Sequence, residues 1–399
     1  MVKFYSIWST NMKILVFAFR VLSSGYGVDL VIKQLAIAWE EIGYEVFVGC
    51  IQTDLKSEKI KTILETKESI LALIKEVNPN FIYIHTFPFW KFLPDIKKEF
   101  SCPVIMHDYG DPTPELIENE FLKSFLKKQY PIRRENMIYA DGIICISEFV
   151  RTDVGYNSAE IVLLGSENIQ DMGLKTTISR KKLKIGMLGR IGVGENDYKG
   201  INYFIQLANT LGFNNYDFYF SGHGDKIYAE KLYEAGFIVK LNLTEDEKVK
   251  YLRELDIFIS TSLWEGFNLP LLEAQSLGTL SLAFDVGAHP EVTIFNFGSV
   301  SEMCFFIEQI NLKRELLSYY SNCCYSFARS RFSWVKAAHQ ILKISIKNKG
   351  DWSRLEVKNR KGIKYFIGIY FYILKLIKDE GFLNTFIYLF KKKIYRKKK

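Results

Sequence analysis

Short apolar runs alternate along the chain with longer stretches in which apolar residues recur every three or four positions, a pattern of strands separated by amphipathic helices. Residues 13–19 (KILVFAF) predict the first buried strand, followed by a glycine-containing loop and a helix from Val28 to Ile42. Strands follow at Glu45–Gly49, Phe81–Ile84, Val104–His107, Gly142–Ser147 and Ile161–Leu164, with helices over 66–77, 89–99 and 115–139. A polar stretch at 166–182 interrupts the periodicity and predicts an interdomain linker. A second series then begins. Its strands are Lys184–Leu188, Asp217–Ser221, Phe237–Lys240, Asp256–Ser260 and Thr279–Phe284, with helices over 200–211, 225–235, 245–254 and 270–277. Val/Ile-rich runs separated by helices argue for parallel sheets covered on both faces. The expected class is α/β: two Rossmann-like, doubly wound domains, 12–165 and 183–345, with ligands bound in a cleft beyond the carboxyl ends of the strands. Residues 1–11 precede this pattern as an N-terminal extension, and 346–399 follow it as a tail.

Composition supports two domains, since 399 residues exceed one comfortable core. Charge divides the chain more sharply. The formal net charge is +8, yet residues 350–399 hold 14 Lys/Arg against 4 Asp/Glu, so the remainder is slightly acidic. A phosphate-tracking nucleic-acid surface needs cations spread over a domain face, which this distribution disfavours. No apolar run reaches the roughly 18 residues of a transmembrane helix, and Ile14–Phe19 is too short for a signal sequence. The six cysteines show no zinc spacing and read as reduced thiols of a cytoplasmic protein. In the tail, 363–377 and 382–390 are apolar and aromatic and precede KKKIYRKKK. Such a segment is expected to lie in a bilayer interface with its lysines on anionic lipid, placing the protein peripherally on the inner face of the cytoplasmic membrane; the bland alternative is helices packed on the protein.

Candidate chemistry concentrates in Thr261–Glu273 (TSLWEGFNLPLLE). Pro270 suits the first turn of a helix, leaving Glu265 in the preceding loop and Glu273 on the opening turns, both able to face one ligand. The amides of Phe267, Asn268 and Leu269 are helix-end donors suited to phosphate oxygens. Either glutamate alone is explained by the helix dipole. Other features change the balance. Arg190 follows the first strand of the second half and Lys199 opens the next helix, two cations that can clamp a diphosphate. Gly222 and Gly224 flank His223 after the next strand, and Gly287-Ala288-His289-Pro290-Glu291 follows a later one. The acidic run Glu245-Asp246-Glu247 is explained by a capping box from Thr244 to Glu247 rather than by a metal.

Together these residues resemble the retaining GT-B glycosyltransferases of family 4 (glycosyl transferases group 1), over roughly residues 12–345. Glu265 and Glu273 match the E-x7-E signature of that family. The resemblance implies that Glu273 holds the donor ribose, that Glu265 contacts the transferring sugar, and that Arg190 and Lys199 bind the diphosphate. Gly25-Tyr26-Gly27 matches the family's glycine loop near the donor phosphates, and His107 in VIMHD matches an imidazole that touches the sugar hydroxyls. His289, Glu291, Gly222 and Gly224 are candidate donor-loop residues. Two departures stand out: Asn268 occupies a position more often Gly, and the Arg190–Lys199 spacing is long.

His85, which also ends a strand, is a second candidate for the cleft; His223 reads as a tolerated residue between glycines and His339 as structural. No Asp-x-Asp triplet is present, so neither a metal nor another cofactor is expected; Arg190, Lys199 and helix-end amides can neutralise the leaving diphosphate. The implied reaction is metal-independent transfer, with retention, from a nucleotide-sugar to a saccharide or lipid-linked acceptor in O-antigen, capsule or exopolysaccharide assembly. Rival readings are a GT-B sugar-nucleotide 2-epimerase, or a non-catalytic membrane-associated nucleotide-sugar binder. An oxidoreductase lacks a GxGxxG after either first strand.

Overall fold

The computed structural model describes residues 12–23, 25–85, 87–175 and 181–347; the expectations for 1–11 and for the membrane-binding tail lie outside the described residues. The first half contains β1 (Lys13–Val21), α1 (Gly27–Glu41), β2 (Glu45–Thr53), β3 (Ile60–Thr62), α2 (Lys67–Val77), β4 (Phe81–Ile84) and α3 (Leu93–Glu99). It continues with β5 (Val104–Asp108), α4 (Glu120–Met137), β6 (Gly142–Cys145), α5 (Glu148–Val154) and β7 (Glu160–Ile161). Its sheet runs β3-β2-β1-β4-β5-β6-β7 with every pair parallel. The second half contains β8 (Leu183–Leu188), α6 (Glu195–Lys199), α7 (Ile201–Leu211), β9 (Tyr216–Gly222), α8 (Glu230–Glu234), β10 (Ile238–Leu241) and α9 (Glu245–Glu254). Then come β11 (Ile257–Ser260), α10 (Leu269–Ser276), β12 (Leu280–Phe284), α11 (His289–Val292), β13 (Asn296–Phe297), α12 (Val300–Leu312), α13 (Glu315–Arg331) and α14 (Trp334–Lys347). The second sheet, also parallel, runs β10-β9-β8-β11-β12-β13. Strand order reverses between β1 and β4 and between β8 and β11. At such switch points the loops diverge to opposite faces and leave a crevice.

Three local features differ from the sequence pattern and matter for the cleft. The strand expected over Gly142–Ser147 stops at Cys145, and Ser147 caps α5 instead, its hydroxyl accepting the Val150 N–H. The helix expected over 115–139 begins only at Glu120, where the Asn119 side chain accepts the Leu122 N–H. The helix expected over 200–211 is preceded by the separate turn α6, and Gly200 between them has φ +67°. A Cβ at Gly200 would lie 2.0 Å from the Thr261 carbonyl oxygen, so only glycine allows this approach. The kink puts Lys199 at the end of α6, beside the loop that follows β11.

The last described helix returns to the first half. Val31, Leu35 and Trp39 bury one stripe of α1, and Ala337, Ala338, Ile341 and Leu342 of α14 join the same core. The Trp39 indole N–H donates to the Ala338 carbonyl at 3.2 Å, and the Tyr83 and Ser345 hydroxyls are 3.0 Å apart. Ile341→Ala is therefore expected to cost about 2–5 kcal/mol, the range for truncating a buried aliphatic side chain. Urea denaturation of the full chain measures it; an unchanged midpoint would show that α14 adds nothing to this core.

Candidate active site

A cavity of about 270 Å³ lies between the two halves, at the carboxyl ends of β1, β8, β9 and β11. Gly25 and Gly27 from the first half line it, together with Arg190, Lys199, Gly222, Glu265, Phe267, Asn268, Leu269 and Glu273 from the second. The sequence motifs separated by up to about 250 residues therefore meet at one place.

The two carboxylates have different surroundings. Glu265 is buried, with Lys199 Nζ 2.7 Å from its Oε1. Burial, the largest influence, raises its pKa, but the Lys199 ammonium, His289 and a hydrogen bond from Ser262 together outweigh it and hold the carboxyl below its usual range. Glu273, on the first turns of α10, is 2% exposed. Its Oε1 accepts from Lys248 Nζ at 3.0 Å and from the Asn168 amide at 2.9 Å. Lys248 is also paired with Glu245 at 2.6 Å. Burial pulls the Lys248 pKa down, but Glu273 and Glu245 together push it above its ordinary value. Lys248 is thereby held as an ammonium group, and both glutamates keep a second oxygen outside these pairs.

Arg190 pairs with Glu195 at 2.9 Å and donates to the Tyr198 hydroxyl at 3.2 Å. Its guanidinium also lies 5.3 Å from the ring centre of Tyr26, whose other neighbour is the Arg20 guanidinium at 3.2 Å. The glycine loop of the first half thus leans on Arg190 of the second. His223 takes part in the same contact: its ring sits edge-on to Tyr26 at 5.5 Å, and a Cβ on Gly25 would meet it at 3.0 Å. His223 lines the cavity, a role its sequence setting between two glycines did not signal.

Asn268 adopts φ +76°, the left-handed conformation that Asn tolerates better than other side-chain-bearing residues. Its side chain repays the strain locally: Oδ1 accepts the Leu271 N–H, and Nδ2 lies 2.9 Å from both Ser260 Oγ and His289 Nε2. His289 Nδ1 is 2.9 Å from the Phe284 carbonyl oxygen, so a neutral ring donates there and accepts from Asn268. Burial keeps its pKa below the usual histidine value, despite Glu265. The residue at the position more often glycine is therefore a working cap, and His289 is its support. Glu291 lies across the seam, accepting the Glu148 and Phe149 N–H groups at 2.9 Å each. Gly222 and Gly224 let backbone pack on backbone, since a Cβ on either would come within 2.2 Å of a carbonyl oxygen, of Gly189 and Ile191 respectively.

His107 and His85 stack with ring centres 4.0 Å apart, and neither is a lining residue. Tyr109 lines the cavity instead, with its hydroxyl 2.6 Å from His85 Nδ1. Both histidine Nε2 atoms are buried without a hydrogen-bond partner. Burial drives the His107 pKa down to about 3, so the ring is neutral throughout the physiological range. Among the described residues no group of three or more His, Cys, Asp or Glu is arranged to hold a metal.

The architecture is that of the GT-B glycosyltransferases. Residues 182–303 match the model of the family described as glycosyl transferases group 1, the group that the Glu265/Glu273 pattern resembles. Sucrose-phosphate synthase from Thermosynechococcus elongatus superposes with a TM-score of 0.69 and 13% identity, over 84% of this chain and 98% of that one. Anabaena HepE in complex with UDP-glucose gives 0.65 and 15%, covering 84% and 100%. WaaG, a glycosyltransferase involved in lipopolysaccharide biosynthesis, gives 0.61 and 11%, covering 83% and 99%. In sequence, a Klebsiella pneumoniae protein described as an uncharacterized 41.2 kDa protein in the cps region is 26% identical over 115 residues. That match spans 29% of this chain and 31% of the relative's length.

Two outcomes follow from the geometry. Asn168→Ala removes one of the two hydrogen bonds on Glu273, a net loss of about 1–3 kcal/mol for a bond to a buried charged group. If Glu273 binds a nucleotide, affinity measured by titration calorimetry falls correspondingly, and an unchanged Kd would show that Lys248 alone sets the carboxylate. The second concerns pH. The unfolded chain takes up a proton on His107 near pH 6.5 that the folded chain accepts only near 3, so this site costs stability progressively as pH falls through that window. The fall in urea midpoint between about pH 7 and about pH 5 should be shallower in His107→Gln than in the wild type.

Proposed function

We propose that this protein is a glycosyltransferase that moves a sugar, with retention, from a nucleotide-sugar to a saccharide or lipid-linked acceptor in cell-surface polysaccharide assembly. The observation that carries this reading is the convergence of Arg190, Lys199, Glu265 and Glu273 on one cavity at the switch points of two facing sheets. The family match over 182–303 supports a nucleotide-sugar donor on the second half, and the cps-region and lipopolysaccharide relatives support a polysaccharide product. HepE's complex with UDP-glucose makes a UDP-sugar the first donor to test.

In this reading Glu273 accepts the ribose hydroxyls, pinned by Lys248 and Asn168. The diphosphate lies by the N-terminal end of α10, near Arg190 and Lys199. Each cation is already paired with a carboxylate, so charge at the site is balanced before the donor enters. As the glycosidic bond breaks, negative charge grows on the leaving phosphate oxygen, and fixed cations stabilise that change without reorganising. Glu265, ionised beside Lys199, then faces the sugar as its hydrogen-bond acceptor. The acceptor hydroxyl attacks the face from which the phosphate departs, and that phosphate takes its proton. Front-face substitution of this kind preserves the anomeric configuration and requires no enzyme nucleophile. The site is taken to act without a metal or other cofactor, and the protein to work at the inner face of the cytoplasmic membrane.

A thermal-shift panel of UDP-, GDP-, ADP- and dTDP-sugars tests the donor, since a ligand at about 100 times its Kd stabilises the fold by about 2.7 kcal/mol. No response to any donor would sink the proposal. With the responding donor, Glu273→Ala should abolish the shift. Arg190→Ala and Lys199→Ala should slow transfer by about a hundredfold or more, as for loss of other charge-stabilising groups. A 2-epimerase would instead convert the donor with no acceptor present, which product chromatography distinguishes.

A further inference from the structure

Tyr109 lines the cavity from the first half, and its backbone is held from both sides. Before it, the Asp108 carboxylate accepts from the Arg133 guanidinium at 3.2 Å and from the Gly110 N–H at 2.8 Å. After it, Gly110 has φ +69°, and a Cβ there would lie 2.9 Å from the Trp264 ring. The Tyr109 carbonyl oxygen itself stands 2.3 Å from where a Cβ on Gly266 would be. Tyr109 is therefore wedged against Trp264-Glu265-Gly266, the segment that carries the buried Glu265 carboxylate.

The side chain is fixed as well. Its hydroxyl lies 2.6 Å from His85 Nδ1, and the His85 ring stacks on His107 with 18° between the planes. Burial, with His107 adding to the effect, keeps the His85 pKa well below the usual histidine value, so the ring is neutral and holds one proton. His85 Nε2 is buried without a partner. A proton there would strand an N–H donor, a rare defect in folded proteins, whereas a proton on Nδ1 strands only a lone pair. With the proton on Nδ1, His85 donates to the Tyr109 oxygen, and the Tyr109 O–H is left to donate elsewhere. Burial first, then Asp108 and Asp29, push the Tyr109 pKa well above its ordinary value, so the hydroxyl keeps that proton.

We propose that Tyr109, directed by His85, is the first-half group that binds the transferring sugar, donating a hydrogen bond to one of its oxygens. A sugar hydroxyl both donates and accepts, whereas an ionised carboxylate such as Glu265 only accepts. A phenol donor on one half and a carboxylate acceptor on the other together match a hydroxylated ring. His107, two residues earlier on the same strand end, is not a lining residue and cannot take this place. Tyr109 touches the sugar; His85 acts through it and is a positioning residue. The assignment deepens the transferase reading and rests on it.

The test is titration calorimetry of the full chain with UDP-glucose and with UDP, or with whichever of the GDP-, ADP- and dTDP-sugars binds and its own diphosphate. Tyr109→Phe keeps the wedged ring, so it should bind UDP as the wild type does and UDP-glucose about tenfold more weakly, having lost one hydrogen bond and left the His85 N–H unpaired. His85→Leu should show the same selective loss, and His85→Asn should restore most of the affinity by keeping an N–H donor beside Tyr109. The Tyr109→Phe, His85→Leu double variant should be no weaker than either single one, because both remove the same contact. Equal UDP-glucose affinity in Tyr109→Phe and the wild type would overturn the assignment and leave the transferase reading standing. So would a parallel loss of UDP affinity, which would put the hydroxyl on the nucleotide, or additive losses in the double variant, which would make His85 a structural residue only. Failure of the wild type to bind any of these sugar nucleotides would instead overturn the transferase reading, and this proposal with it.

Discussion

The cleft exists because the backbones of the two halves touch directly along one seam. Ser147 Oγ donates to the Gly266 carbonyl at 2.7 Å, and a Cβ on Gly266 would stand 2.3 Å from the Tyr109 carbonyl oxygen. Glu291 closes the same seam by capping the amides that open α5. A carboxylate at a helix N-terminus satisfies two orphan donors and meets the positive end of the dipole. Burial raises the Glu291 pKa, and those two amides oppose the rise. Gly266 adjoins Glu265, so the contact between the halves at Gly266 also fixes the backbone beside the buried Glu265 carboxylate.

The buried glutamates Glu265 and Glu273 inside the cavity are each paired with a lysine, because an isolated buried ion would change its protonation state. Lys199 keeps Glu265 ionised and Lys248 does the same service for the position of Glu273. The first-half histidines have no such partner. His85 and His107 are neutral through burial, and they stack on one another instead of pairing with a carboxylate. Asp108, adjacent in sequence, turns away from them to accept from Arg133 at 3.2 Å and from the Gly110 N–H at 2.8 Å. Ionic chemistry is concentrated on the second half; the first offers the cavity aromatic and apolar groups and one cation, Lys33, whose Nζ donates to the Leu22 and Ser23 carbonyls.

This asymmetry explains what the sequence disclosed. Arg190, Lys199, Glu265 and Glu273 sit at strand ends or helix starts, where a period-two run gives way to a helical one, so position and chemistry could be read together. The two alternating series of strands and helices were legible for the same reason. Lys248 was not, because it lies mid-helix in an acidic stretch that its capping box fully explains. Tyr109 and His223 were missed because their roles come from contact across the cleft, which local pattern does not record. Strand β3 has only three residues, IKT, and alternates too briefly to register. Helix α5 was hidden by Ser147, which extends an apolar run in sequence while ending it in space.

The chain crosses between the halves twice, and both crossings reach the same carboxylate. On the outward crossing Asn168 donates to Glu273. On the return, the Trp334 indole donates to Asn168 Oδ1 at 3.1 Å, and the Trp334 backbone N–H donates to Glu167 at 2.7 Å. A Cβ on Gly165 would fall 2.2 Å from the Trp334 nitrogen, so the two segments are in backbone contact. Asn168 thus ties both crossing segments to Glu273. Glu273, like Arg190 against Tyr26, is consequently a cavity group held in part by side chains that reach it from outside its own helix. A ligand that displaced the Asn168 amide from Glu273 would also break the link from Glu273 to Trp334, because one side chain serves both contacts.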